Sequence, residues 1–191
     1  MTNDPLKVQI SLGSIRENRF GSTVGEWFHG VAESRDGLDA ELIDLRDWQL
    51  PFFKEPRSPS SGRIAEEALP WAEKIGQGDA YVIVSPEYNH GYSAVLKNAM
   101  DHIYREWNNK PIGFVSYGGS SGGTRAVEQL RLVAIELQMA PIREAIVIPF
   151  ARSAFNDQGQ PNSPALNDRA NALLNQLTWW ANALKKARAE S

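Results

Sequence analysis

Cysteine is absent from the 191 residues, so disulfides, thiolate metal sites and a cysteine nucleophile are excluded. Histidine is scarce. His29, His90 and His102 stand at no H-x-x-x-H or H-E-x-x-H spacing, and no metal site is expected. No stretch approaches the ~18 consecutive apolar residues of a membrane-spanning helix, and no membrane contact is expected. The opening segment, MTNDPLKVQISLGS, lacks a basic stretch followed by a long apolar one and does not read as a secretory leader. Neither charge dominates. A net charge of -3 and a pI near 5.7 leave no basic footprint for nucleic acid. Repeats, low-complexity tracts and linkers are missing too. The expectation is a soluble cytoplasmic protein of one domain, residues 1–191. Its 42% hydrophobic content suffices for a sizeable core.

What is present is an alternation of strand-like and helix-like segments. Ala80 to Val84 is a continuous apolar run rich in β-branched residues, the signature of a strand buried on both faces. Leu6–Leu12, Ala40–Leu45, Pro111–Ser116 and Ile142–Ile148 read as four more strands. Helical periodicity begins at Ser22, spans Arg63–Gly76 with a break or kink at Pro70, and spans 93–107. It returns at 124–139, with Thr124 as cap, and after Ser163-Pro164, with Ser163 as cap. In the 93–107 segment Leu96, Ala99, Met100, Ile103 and Trp107 share one side, with Asp101 and His102 facing away. In the 124–139 segment Leu132, Ile135 and Met139 widen the apolar surface beyond one stripe, which predicts deep burial or a partner subunit. Residues 49–62, with Pro51, Pro56 and Pro59, read as a surface loop, either a functional lip or a plain connection, and Arg152 to Asn162 reads as polar and turn-rich.

Five strands alternating with helices predict an α/β fold, a five-stranded doubly wound parallel sheet with helices on both faces. At this length the flavodoxin-like order 2-1-3-4-5 is the natural candidate, and it places ligands at the carboxyl ends of the central strands. The loops after strands one, three and four then converge on one crevice.

The first loop carries Gly13, Ser14, Arg16, Arg19 and Gly21 ahead of a helix N-terminus, where free N–H groups favour a phosphate. Read alone, it serves equally as an anion cradle or as a surface turn with two solvated arginines. It is neither a Walker loop nor a G-x-G-x-x-G dinucleotide fingerprint. The second loop, Pro86 to Gly91, offers backbone donors and acceptors and the ring of Tyr88 to a flat heterocycle, or is an ordinary turn held by Asn89. The third, Tyr117 to Gly123, has four glycines, which permit close backbone approach to a ligand or simply a flexible turn. Its Gly119-Ser120-Ser121-Gly122-Gly123 matches a hydrolase nucleophile elbow, but every histidine precedes Ser121, against the chain order of that triad.

Together these segments resemble the NAD(P)H-dependent FMN reductases. Gly13-Ser14-Ile15-Arg16 with Arg19 and Gly21 is similar to that family's GSxRxxRxG signature. Ser85 to Asn89 with Leu96 to Asp101 is similar to its SPEYN…LKNAxD segment, and Ser116 to Gly119, Ser121 to Gly123 and Arg125 to its third flavin loop. One departure is Ser93, where a proline is common, and a looser helix start is expected there. The resemblance implies that Ser14, Arg16, Arg19, Phe20 and Gly21 hold the FMN phosphate. Pro86, Glu87, Tyr88 and Asn89 would line the flavin edge, and Ser116, Tyr117, Gly118 and Gly119 its pyrimidine end. It implies hydride transfer from NADPH or NADH to FMN, then two electrons to a small-molecule acceptor in ping-pong fashion. A quinone, free flavin, azo compound or metal oxyanion would serve, and no side chain acts as acid or base. It also implies a homodimer or a dimer of dimers. The other reading is a flavodoxin-type FMN electron carrier without NAD(P)H turnover.

Overall fold

A computed structural model describes residues 4–190, so the first three residues of the segment read for a leader lie outside the described part. Five strands form one parallel sheet in the order β2-β1-β3-β4-β5. They are β1 (Leu6–Leu12), β2 (Leu38–Asp44), β3 (Ala80–Pro86), β4 (Pro111–Tyr117) and β5 (Ala140–Ile148). This is the expected fold. Every residue of β3 and β4 is buried, because helices cover both faces of the central strands. The edge strands β2 and β5 are only partly buried.

On one face pack α1 (Gly21–Glu33) and the long α6 (Ala165–Ala189). Val24, Trp27 and Phe28 meet Leu173, Leu174 and Leu177 there over Ile10 and Val82. The other face carries α2 (Leu69–Gly76), α3 (Ala94–Asp101) and α4 (Thr124–Glu136). Trp71, Met100 and Leu130 fill that side with Ile83 and Phe114. A short α5 (Ala151–Ala154) comes after β5.

Several local expectations are corrected. The helix expected from Arg63 begins only at Leu69, so Pro70 sits in its first turn, where a missing N–H costs nothing, and causes no kink. α3 ends at Asp101, yet Ile103 and Trp107 remain buried in the cluster with Trp71, Tyr81 and Met100. His102 does not face away. It is 3% exposed, its Nε2 lies 2.8 Å from the carbonyl of Pro51, and its ring meets Phe53 edge-on. Thr124 does not cap α4: Gly123 occupies that position at φ 89, and the threonine hydroxyl donates to the Ser121 carbonyl. Pro164, not Ser163, stands at the cap of α6, although Ser163 Oγ accepts from Ala165 N at 3.3 Å. Leu132 and Ile135 are exposed, whereas Met139 is buried. Ser93 tightens rather than loosens the start of α3. Its Oγ accepts from Leu96 N and donates to the carbonyl of Gly13, tying α3 to the first loop.

Candidate functional site

The carboxyl ends of β1, β3, β4 and β5 open onto a cleft of about 500 Å³. Its first wall is the β1–α1 loop. Gly13 donates its N–H to the Val84 carbonyl at 2.9 Å, and a Cβ there would stand 3.2 Å from that oxygen. Ser14 is buried and its Oγ lies 2.6 Å from the Tyr88 hydroxyl, which joins the first loop to the second. Arg16 is exposed, stands 5.5 Å over the Tyr88 ring, and has no carboxylate partner among the described residues. Arg19 differs. Its side chain is 3% exposed, and it donates to Asp44 and to the carbonyl of Ser14. Burial works to raise the pKa of Asp44, but hydrogen bonds and charge from Arg19 and Arg46 outweigh it and hold the carboxyl below its ordinary range. Gly21 supports from behind, since a Cβ there would collide with the Tyr117 hydroxyl.

The second wall is a tight turn. Tyr88 and Gly91 exchange both backbone hydrogen bonds around Asn89 and His90, which both take positive φ, 50 and 71. That is the mirror-image turn that Asn favours at its first position. Glu87 points away from solvent, at 5% exposure, and accepts from Ser121 Oγ at 3.2 Å and from Arg125 N at 3.1 Å and Nε at 2.5 Å. Burial alone would raise its pKa; the Arg125 and Ser121 bonds lower it below the ordinary value. This carboxylate locks the second loop to the third. Ser121 is engaged by Glu87 and Arg125 rather than by a histidine, so the elbow match carries no triad. His90 accepts from Arg125 at 2.8 Å, a supporting place outside the cleft.

The third wall is Tyr117 and Gly118. Burial pushes the Tyr117 hydroxyl up, so it stays protonated. Gly119 and Gly118 accept through their carbonyls from Phe150 N at 3.0 Å and Ala151 N at 3.1 Å, binding the segment after β5 to the glycine loop.

Of the residues predicted for the site, Arg16, Arg19, Phe20, Pro86, Glu87, Tyr88, Tyr117 and Gly118 line the cleft together. Ser14, Gly21, Asn89, Ser116 and Gly119 do not. Ser116 is fully buried within β4 and Asn89 is at the exposed tip of its turn. The sequence reading missed Asn18 and the stretch Phe150 to Ser153, which also line it. Arg152 stands 5.6 Å over the Phe20 ring and, like Arg16, has no carboxylate partner among the described residues. The signal available was position, since Phe150 comes after a strand's carboxyl end like the other three loops. Beyond Tyr88 lies a second, mostly apolar depression of about 420 Å³, walled by Ile15, Leu50, Phe52 and Val95. The 49–62 connection is anchored there: Asn98 Oδ1 accepts from Phe53 N at 2.9 Å, and its Nδ2 donates to the Pro51 carbonyl at 2.9 Å.

The cleft can hold a flat, anionic ligand. It is lined by two arginines, Arg16 and Arg152, that have no carboxylate partner among the described residues, beside Tyr88, Tyr117 and the Gly118 backbone. The Ile15, Glu17 and Asn18 amides of the first loop, unpaired among the described residues, are close by. That donor set fits a phosphorylated heterocycle.

Comparison with known proteins agrees. The sequence profile described as NADPH-dependent FMN reductase matches residues 6–153. An NAD(P)H-dependent FMN reductase of Schizosaccharomyces pombe is 40% identical over 148 residues, covering 75% of this chain and 74% of that one. A Saccharomyces cerevisiae protein of the same description is 30% identical over 182 residues, covering 88% and 95%. Among solved structures, the FerB flavoenzyme NAD(P)H:(acceptor) oxidoreductase of Paracoccus denitrificans superposes with a TM-score of 0.74 at 21% identity, over 91% of this chain and 97% of that one.

Proposed function

This chain belongs to the NADPH-dependent FMN reductase family, and we propose that it uses NADPH or NADH to reduce a small-molecule acceptor through bound FMN. When bound, FMN supplies two-electron chemistry that no side chain here provides. The observation that carries the reading is the cleft itself, where the acid-free Arg16 and Arg152 and the first loop's amides stand with Tyr88, Tyr117 and Gly118. Arg16 contributes charge to a phosphate. Ser14, Arg19 and Gly21 shape the loop that receives it, and Phe20 forms its floor with Arg152 above. Pro86, Tyr88 and the backbone of Glu87 and Asn89 line a ring edge. The Gly118 backbone lies along the ring's pyrimidine end; its N–H is taken by the Ile148 carbonyl at 3.2 Å, which leaves the Gly119 amide to stabilise negative charge there. Tyr117, held protonated by burial, does not act as a base.

Quinones, free flavin, azo compounds and metal oxyanions are the acceptor classes that an open cleft of this kind admits, with the nicotinamide leaving before the acceptor enters. Its place is the cytoplasm, one compartment that supplies NAD(P)H. A homodimer, or a dimer of dimers, is the assembly supported by the exposed apolar side chains of α4.

The test is steady-state turnover of FMN-loaded protein with NADPH and with NADH, against a panel of these acceptors. Oxidation of either nicotinamide that depends on acceptor, with parallel-line double-reciprocal plots, is expected. Flavin uptake without nicotinamide oxidation would replace the reading with that of an electron carrier.

A further inference from the structure

The chain contains a second acid near the first loop, and it is not in the loop. Asp44 ends β2, and its carboxylate accepts from Arg19 and, at 2.9 Å, from the backbone N–H of Arg46. The two arginines held this way both reach back to loop carbonyls. Arg19 donates to Ser14 O; Arg46 donates to Arg16 O and, at 3.4 Å, to Ile15 O. Three successive carbonyls are thus drawn to one side by two guanidinium groups, that of Arg19 held directly by the Asp44 carboxylate and that of Arg46 on a residue whose backbone N–H the same carboxylate holds.

Peptide geometry then sets the direction of the amides. No cis peptide is present among the described residues, and in a trans peptide the N–H points opposite to the carbonyl. With Ser14, Ile15 and Arg16 carbonyls turned toward the arginines, the N–H groups of Ile15, Arg16 and Glu17 turn the other way. The amides of Ile15, Glu17 and Asn18 have no hydrogen-bond partner among the described residues, and that of Arg16 reaches only Ser14 Oγ at 3.3 Å. Asn18 sits at φ 50, a left-handed turn of the kind that makes consecutive amides converge.

We propose that Asp44 is a positioning residue for the phosphate: through Arg19 and Arg46 it pins the loop carbonyls outward and so presents the loop amides as an anion cradle. Arg19 acts on the loop, and Arg16 is the cation left to meet the ligand. Paired with the partly exposed Asp44 carboxylate, the buried Arg19 offers no second free positive charge to compete for the site. The inference rests on the reading that the FMN phosphate lies at this loop.

The experiment compares FMN with riboflavin, which has the same ring and no phosphate, by quenching of flavin fluorescence. In the wild type FMN is expected to bind much more tightly than riboflavin. Asp44→Asn is expected to lose about tenfold or more in FMN affinity, the scale of one charge-assisted hydrogen bond. Its riboflavin affinity should be unchanged. Arg46→Gln, at an exposed position, should shift the same ratio in the same direction and decides the matter if Asp44→Asn fails to fold. Asp44→Asn binding FMN as tightly as the wild type or more tightly, as when a freed Arg19 meets the phosphate directly, overturns the inference. So does an equal fall in both affinities, the mark of general damage. Wild-type protein that binds riboflavin as well as FMN instead defeats the phosphate reading itself, and the clamp falls with it.

Discussion

At the opposite end of the sheet from the cleft, Lys110 is a cation in a buried place. Its Nζ donates to the Gly76 carbonyl and to the Tyr81 hydroxyl, each at 3.0 Å. Burial first, and the Arg188 charge second, lower its pKa to about 8 against the opposing pull of Asp79 and Glu106. Tyr81 is pushed up by burial and stays neutral throughout. Between about pH 8 and 10.5 the unfolded chain keeps a lysine proton that the folded protein has released, so stability rises with pH across that window. Below it, the folded state carries the full cost of the buried charge. Unfolding free energies of the wild type and Lys110→Met, measured from pH 7 to 10.5, should diverge in favour of the wild type as pH rises. The expected change is on the order of 3 kcal/mol, from ~1.36 kcal/mol per unit of pKa shift. A difference that stays flat with pH would show that Lys110 is not desolvated.

Among the elements, the glycine loop separates two kinds of glycine. Gly123 stands at φ 89 and a Cβ there would come within 2.8 Å of the Ser116 Cβ and 3.1 Å of Tyr117 N. Gly119 has open space where its Cβ would go. Gly123→Ala should lower the urea-unfolding free energy by about 1–3 kcal/mol, the cost of a left-handed residue without room. Gly119→Ala should stay within ~0.5 kcal/mol of the wild type, as open surface positions do. Equal losses would mean that the loop's shape does not depend on the close approach to β4. Both glycines look alike in the sequence; only the packing against Ser116 tells them apart. The same limit governs what else could be read in advance. β3 and β4 were legible because burial on both faces leaves an unbroken apolar run. The end of α3 was not, because Ile103 and Trp107 continue the helical period after the helix has stopped. Asp44 was invisible as a site residue, since its partner Arg19 is 25 positions away and meets it only through the β1–β2 pairing. Arg16 and Arg19 looked equivalent, and only the carboxylate beside one of them makes one structural and the other available.

The whole molecule opens its candidate site at one end of the sheet and leaves an apolar flank on α4. Leu132 and Ile135 stand one helical turn apart at 70% and 60% exposure. Arg131, beside Leu132 in sequence, is turned inward to cap the edge of β5, donating to the Ile142 carbonyl at 2.6 Å. An arginine on the edge carbonyls of β5 disfavours sheet extension there, which favours assembly through helices on this side. Burying four such side chains across a two-fold axis contributes roughly 1.5–3 kcal/mol each before the cost of association. Leu132→Glu with Ile135→Glu replaces that gain with two desolvated charges per subunit. In sedimentation equilibrium the wild type is expected at twice the 21.2 kDa chain mass and the double variant at the chain mass itself. A dimer of dimers would need a second face, and the adjacent Trp179 and Trp180 on α6, exposed by 65% and 36%, supply an aromatic one. In that case the double variant should fall from tetramer to dimer. An unchanged mass distribution would remove α4 from the interface, and a monomeric wild type would remove the proposed dimer itself.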